Sequence, residues 1–320
     1  MSDRPPQGGF AALADALGLQ LLQRDWLSAN NIVFAACGDT TSAVVDTGYA
    51  RHAPLTSALV SHALKDAPLA RIINTHLHSD HCGGNRHLQT IHDARTYVPA
   101  PSLQAVQAWD EDRLTYRTTG QFCERFAADH ALHDGDVLDL GAASWRVVAA
   151  PGHDPDAVML FEPQSRTLIA GDALWEDRLA IIFPELEGGP GFQQTRATLA
   201  LIEQLAPRWV IPGHGRPFEA VDEALRASTQ RLDAFEANPA RHTRHAARAL
   251  LMFHMMEHQL LGEAVLHDWL LQTPLFMQMC ALMRTETESQ AAWATRLVQG
   301  LVDDGLLVRS DNKLHLSTAD

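Results

Sequence analysis

Through its first 220 residues the chain alternates short apolar runs with Gly, Asp and Pro, the texture of strands broken by tight turns. NIVFAACGDTTSAVVDTG predicts two strands about a Gly-Asp turn, APLTSALVSHALKDA an amphipathic helix and ARIIN a strand. DVLDLGAASWRVVAAPGH and AVMLFEPQSRTLIAGD each predict a hairpin, and QTRATLALIEQLAP predicts a helix ahead of the strand in RWVIPGH. Strands dominate with helices between them, and two stacked sheets with helices outside is the layered solution for such an alternation. Near Pro239 the period becomes helical in ARHTRHAARALLMFHMMEHQLLG, EAVLHDWLLQT and SQAAWATRLVQGLVDDG, and LLVRSDNKLHLS closes as a hairpin. The expected division is therefore residues 1–220, with about 25 peripheral residues at the start, and residues 221–320, a mostly helical, winged-helix-like domain.

Candidate chemistry is concentrated where the apolar runs end. INTHLHSDHCGGN crowds His76, His78, Asp80 and His81 into six positions after a strand and ahead of Gly83 and Gly84. Polar side chains gathered at the rim of a core each need a partner, and a metal ion is one that imidazoles and carboxylates share. On a continued strand His76 and His78 point to one face, Asp80 and His81 fall in the following turn, and the two glycines let that turn bend tightly. Three later segments repeat the arrangement: VVAAPGHD presents His153, TLIAGDAL presents Asp172 and WVIPGHG presents His214. Imidazole and carboxylate donors without thiolate suit zinc first, and iron or manganese as well.

In this order the motifs VVDTG, THLHSDH, PGHD, AGD and PGHG resemble those of the metallo-β-lactamase superfamily, specifically the hydrolase branch of glyoxalase II and the lactonases. The resemblance spans roughly residues 30–220. It implies a four-layer αββα sandwich with two divalent metal ions at the sheet edge. By position, His76, His78 and His153 would hold the first ion, Asp80, His81 and His214 the second, and Asp172 would bridge them. Asp46 of VVDTG would support the site from behind, although an Asp there also caps a Thr-Gly turn. The implied reaction uses a metal-bridging hydroxide on a small ester-like substrate, a thioester or a lactone, with Asp46, Asp80 and Asp172 serving catalysis. PGHD departs from the family's pattern: Asp154 and Pro155 stand where many relatives have Thr-Pro-Gly.

Composition narrows the alternatives. In 320 residues, 46% are hydrophobic and no apolar run reaches the ~18 residues needed to span a bilayer, so a globular, non-membrane, cytoplasmic protein is expected. Cys37, Cys82, Cys123 and Cys280 form no C-x-x-C pair and read as reduced thiols. A net charge of -14 argues against nucleic acid as a partner, and QAAWATRLVQGLVDDG, with one Arg and two Asp, lacks a basic recognition face. A nuclease or a DNA-binding regulator is thereby disfavoured; a mono-iron persulfide dioxygenase, which the superfamily also contains, stays the main alternative to hydrolysis. The Met-rich ALLMFHMMEHQLL is expected to dock on the sandwich or on a second copy in a homodimer. His254 and His258, four apart on the predicted helix, are spaced to share an ion but read as incidental exposure, and Trp175 stands near enough to Asp172 to wall a pocket.

Overall fold

The computed structural model describes residues 9–317. One mixed sheet runs β1 (Leu19–Leu22), β2 (Asn31–Phe34), β3 (Ala43–Val45), β4 (Arg71–Ile73), β5 (Arg95–Pro99) and β6 (His130–Leu132) in spatial order. A second contains β7 (Val137–Leu140), β8 (Ala143–Ala149), β9 (Val158–Glu162), β10 (Thr167–Gly171) and β11 (Trp209–Pro212), ordered β11-β10-β9-β8-β7. Pairs β3-β4, β4-β5, β5-β6 and β10-β11 are parallel, and parallel neighbours need a crossover. Helices Ala53–Ala63, Asn85–His92 and Gly191–Leu205 supply three of these crossovers.

Both faces of strands β2, β3, β9, β10 and β11 are buried, which is why these strands read as continuous hydrophobic runs. Ile32, Phe34 and Val45 of the first sheet meet Trp145, Val147, Leu160 and Ile169 of the second in the central layer. The alternate residues Val33, Val44 and Ile72 face outward onto Val60 and Leu88 of the covering helices. On the far side Val148, Met159 and Leu168 pack against Leu199 and Ile202 of helix Gly191–Leu205. Helix Val221–Ala237 adds Ala224, Leu232 and Phe235 to that same outer layer. Two sheets between helical layers make the αββα sandwich.

The remaining helices Pro239–His258, Glu263–Gln272, Pro274–Met283 and Gln290–Asp303 surround Leu251, Met255, Leu266, Phe276 and Trp293. A small antiparallel sheet, β12 (Leu260–Gly262), β14 (Lys313–Leu316) and β13 (Leu307–Ser310) in spatial order, closes this part. Periodicity predicts three helices here and the structure has four beyond Pro239. The additional one, PLFMQMCALM, is apolar over most of its circumference and shows no stripe, and Pro274 at its first position starts it. Phe183 and Leu186, from the loop after β10, join this core. The Ile182 N–H donates to His242 Nε2 at 3.1 Å, and the Phe253 ring meets Tyr49 edge-on at 5.4 Å. The helical part is thus docked on the sandwich.

Trp145 is fully buried between the sheets. Trp145→Ala is expected to cost about 3–5 kcal/mol of stability by loss of burial and creation of a cavity. Equilibrium denaturant unfolding reads this directly, and a cost under 1 kcal/mol would contradict the central-layer assignment.

Candidate metal centre

The ligand-type residues of the five motifs each lie just beyond the C-terminal end of a strand. Asp46 follows β3, His76 to His81 follow β4, His153 follows β8, Asp172 follows β10 and His214 follows β11. These strand ends share one edge of the sandwich, where open α/β sheets generally place their ligands. The local path differs from the expected one in two respects. β4 stops at Ile73, so His76 and His78 project from a loop, and Asp80 and His81 lie in one helical turn, Ser79–Cys82. Gly83 and Gly84 have ordinary right-handed backbone angles; a Cβ on Gly84 would stand 2.5 Å from the Thr47 carbonyl oxygen. Close approach to the β3 loop, rather than a special turn, requires glycine there.

The side chains assemble into two adjoining groups. His76, His78 and His153 offer ligand atoms within 4.8 Å of one another, and so do Asp80, His81, Asp172 and His214. In the first group the His78 and His153 rings lie 4.6 Å apart, with His78 Nδ1 2.8 Å from His153 Nε2. In the second, His214 Nε2 is 3.0 Å from Asp80 Oδ2, and His81 Nε2 is 3.3 Å from Asp172 Oδ1. Asp172 spans both: its other oxygen, Oδ2, is 3.5 Å from His153 Nε2. All seven are buried except His153, whose side chain is 10% exposed.

The donors fit a metal. His76 Nε2, His78 Nε2 and His81 Nε2 are buried without hydrogen-bond partners, and unsatisfied ring nitrogens within these two donor groups suit a cation. Burial first, and then the neighbouring histidines, lower His76 and push His78 down to about 3. These imidazoles are therefore neutral at physiological pH, the form that binds metal. Burial opposes charge on His81, but Asp172, Asp46 and Asp80 together raise it well above the usual imidazole value. Burial also opposes ionised Asp172, and His81, His214 and His153 outweigh it to keep the carboxylate charged.

Asp46 lies behind this group. Its Oδ2 accepts from His81 Nδ1 at 2.7 Å and from Thr75 Oγ1 at 2.8 Å, and its Oδ1 accepts from the Thr75 N–H at 2.9 Å. The carboxylate accepts from His81 Nδ1 and so orients the ring with Nε2 facing Asp80 and Asp172. Asn30 joins the two sheet edges: its N–H donates to Gly213 O at 2.7 Å, and its side-chain amide donates to Pro212 O and Gly215 O. Gly213 passes so close to Asp172 that an added Cβ would overlap Oδ1.

Other residues enter the site, some expected from the sequence, as Trp175 is, and some not, as Trp26 is not. Trp26 stacks on His214 with ring centroids 5.3 Å apart, and Trp175 Nε1 donates to Asp172 Oδ1 at 3.2 Å. Asp154, in the departing PGHD turn, stands 3.7 Å from His78 Nε2, and burial followed by the charge of Asp156 pushes it up to about 7. Arg178, Arg231, His245 and Arg248 line the cleft above. Sequence spacing offers no signal for them, because they are brought together from the segment after β10, helix Val221–Ala237 and the docked helix, which are distant in sequence. Cys82 and Cys123, unpaired in sequence, bring their sulfurs to 3.8 Å beneath the Ser79–Cys82 turn.

The layered fold, with histidines and aspartates gathered at the strand ends, defines the metallo-β-lactamase class. The chain belongs to the metallo-beta-lactamase superfamily, whose family model matches residues 24–214. It is 37% identical over 135 residues to a hydroxyacylglutathione hydrolase of Gloeobacter violaceus, covering 42% of this chain and 44% of that protein. It is 25% identical over 159 residues to an acyl-coenzyme A thioesterase of Gallus gallus, covering 46% of this chain and 57% of that one. The chain spans about half the length of the curated relatives it matches. A metallo-beta-lactamase family protein of Thermus thermophilus superposes with a TM-score of 0.54 at 19% identity, covering 93% of this chain and 98% of that structure, a likeness of fold.

Asp46→Asn is expected to lower zinc affinity about 10- to 100-fold by freeing the His81 ring. Competition with a chromogenic chelator measures it, and an unchanged affinity would remove Asp46 from the support of the site.

Proposed function

We propose that the protein is a metal-dependent hydrolase of a small, anionic, ester-like substrate, a thioester in the first instance and a lactone in the second. The observation that carries this reading is the pair of adjoining donor groups, with Asp172 facing both, at the floor of an open cleft of about 760 Å³. His76, His78 and His153 would hold one divalent ion, Asp80, His81 and His214 the other, and Asp172 would be shared; zinc suits this donor set best. Two such ions, when bound, lower the pKa of water to make a nucleophile at neutral pH and polarise the carbonyl oxygen under attack. The similarity to a hydroxyacylglutathione hydrolase and an acyl-coenzyme A thioesterase favours thioester chemistry. Two donor groups favour two ions over the single iron of a persulfide dioxygenase.

The chain's own residues shape what enters. Leu250, Met252, Phe253 and Met256 of the docked helix form an apolar wall above the donors. Arg178, Arg231 and Arg248 gather about His245, where burial first and then these three charges lower its pKa. In a chain of net charge -14, three guanidiniums over one cleft form a local site for an anion. Arg248 is already paired with Asp304 at 2.5 Å, and Arg178 lies 4.8 Å over the Trp26 ring. Arg231 donates to the Asp177 carbonyl at 2.7 Å and, among the described residues, has no carboxylate partner, so it is the most available of the three. An apolar acyl group against the methionines and an anionic leaving group beneath the arginines use both surfaces. Trp26 and Trp175 beside His214 and Asp172 exclude bulk water from that side. Free thiols at Cys82 and Cys123 suit a reducing compartment, the cytoplasm.

In a panel of thioesters, lactones and phosphodiesters assayed on zinc-loaded protein, thioester hydrolysis is expected, with ¹⁸O from labelled water entering the product carboxylate and no dioxygen consumed. Label from dioxygen in the product, with full activity at one iron per chain, would replace hydrolysis by oxygenation. Asp172→Ala and His78→Ala should fall to background, while Asp80→Ala should recover in part with excess zinc.

Arg231→Ala is expected to raise KM for an anionic thioester about tenfold with little change in kcat, the size of one lost charge-assisted hydrogen bond. A neutral thioester run alongside should show no such rise; equal effects on both would remove the anion site while leaving hydrolysis intact.

A further inference from the structure

Helix Pro239–His258 carries a third donor group, apart from the seven residues at the strand ends. His254, Glu257 and His258 occupy positions i, i+3 and i+4 and so share one face of the helix. One ligand atom from each lies within 4.8 Å of the other two. Glu257 Oε2 is 4.0 Å from His254 Nδ1 and 3.8 Å from His258 Nε2, beyond hydrogen-bond reach in both cases. Bonds of ~2.0–2.1 Å to a tetrahedral ion set donors ~3.4 Å apart, so the two Glu257 separations need to contract by only about half an ångström.

The surroundings hold the group ready. His254 is buried and stacks face to face on Trp269, ring centroids 3.7 Å apart and planes at 7°, which fixes its ring. Burial first, and then His258, push His254 down to about 3, so it presents a neutral imidazole. Glu257 and His258 border a depression of about 370 Å³ that Tyr49, Arg51, Phe122 and Glu124 close from the sandwich side. Two carboxylates against one guanidinium leave that depression net acidic. Tyr49 Oη, buried there, makes no hydrogen bond of ordinary geometry, and burial together with the Glu257 charge keeps the phenol protonated.

We propose that His254, Glu257 and His258 form an additional divalent-metal site, suited to zinc, with its open position facing the depression between the helical part and the sandwich. Two imidazoles and a carboxylate are a sufficient three-residue set for zinc with solvent or one further ligand in the fourth place. Such an ion would tie the last turns of the helix together at the point where Phe253, one residue before His254, meets Tyr49. The site owes nothing to the chemistry of the cleft, so it stands or falls separately from the proposed hydrolysis.

Zinc is titrated by equilibrium dialysis into protein already replete at the strand-end centre, and bound metal is counted per chain by elemental analysis. Wild type should take up one further equivalent. His258→Ala should lose it, and Glu257→Gln should weaken it by more than about 10-fold, beyond the minimum cost of a lost supporting contact. Both variants should keep the wild-type metal content of the strand-end centre and its rate on whichever substrate the panel identifies. His258 is exposed and Gln matches Glu in shape, so neither change threatens the fold. No further equivalent in wild type, or one that persists unchanged in both variants, would overturn the assignment.

Discussion

A single buried carboxylate holds the site in register. Asp46, at the end of β3, accepts three hydrogen bonds from the β4 loop, two from Thr75 and one from His81, with a left-handed backbone of φ 57°. Burying a charge is costly unless it is fully hydrogen-bonded, and these short bonds with an ionised acceptor offset that cost. The same bonds fix the loop that carries His76, His78, Asp80 and His81, so four donors inherit their positions from one residue. Placing Asp46 on the first sheet makes the sandwich, rather than the loops, the frame for the chemistry.

The second sheet and the helical part complete what that frame begins. His153, Asp172 and His214 come from strand ends across the central layer, and Gly213 lets the β11 exit pass against Asp172. The docked helix then roofs the cleft with Leu250, Met252, Phe253, Met256 and Arg248. Donor-type positions rest on the strand ends of the sandwich, and the apolar wall of the cleft rests on the added helix. This division lets the roof vary without disturbing the donors.

Much of this was legible in the sequence because the donor-type residues end apolar runs beside glycine, which directly precedes His153, Asp172 and His214. His153, Asp172 and His214 announce themselves in that way, and the sheets are legible in the alternation of runs and turns. Asp46 was legible as a position, while its ring-orienting role needed the 2.7 Å contact to His81. Trp26, Arg231 and His245 carry no local pattern, since their proximity to His214 or to one another comes from packing of segments distant in sequence. Helix Pro274–Met283 escaped notice because a segment apolar on nearly all sides has no period to read. His254 and His258 were visible as a pair, and only their fixed geometry around Glu257 gave the spacing chemical meaning.

The latch made by Asn30 bears on the order of events during synthesis. This residue opens β2 and reaches Pro212, Gly213 and Gly215, which emerge from the ribosome some 180 residues later. Contacts that distant form late, because their loop-closure entropy must be met before they stabilise anything. Until β11 arrives, the nascent chain holds the histidines of the β4 loop without His214 and without the close approach of Gly213 to Asp172. A partly made chain therefore lacks the complete set of donor-type side chains until both sheets have been translated and joined.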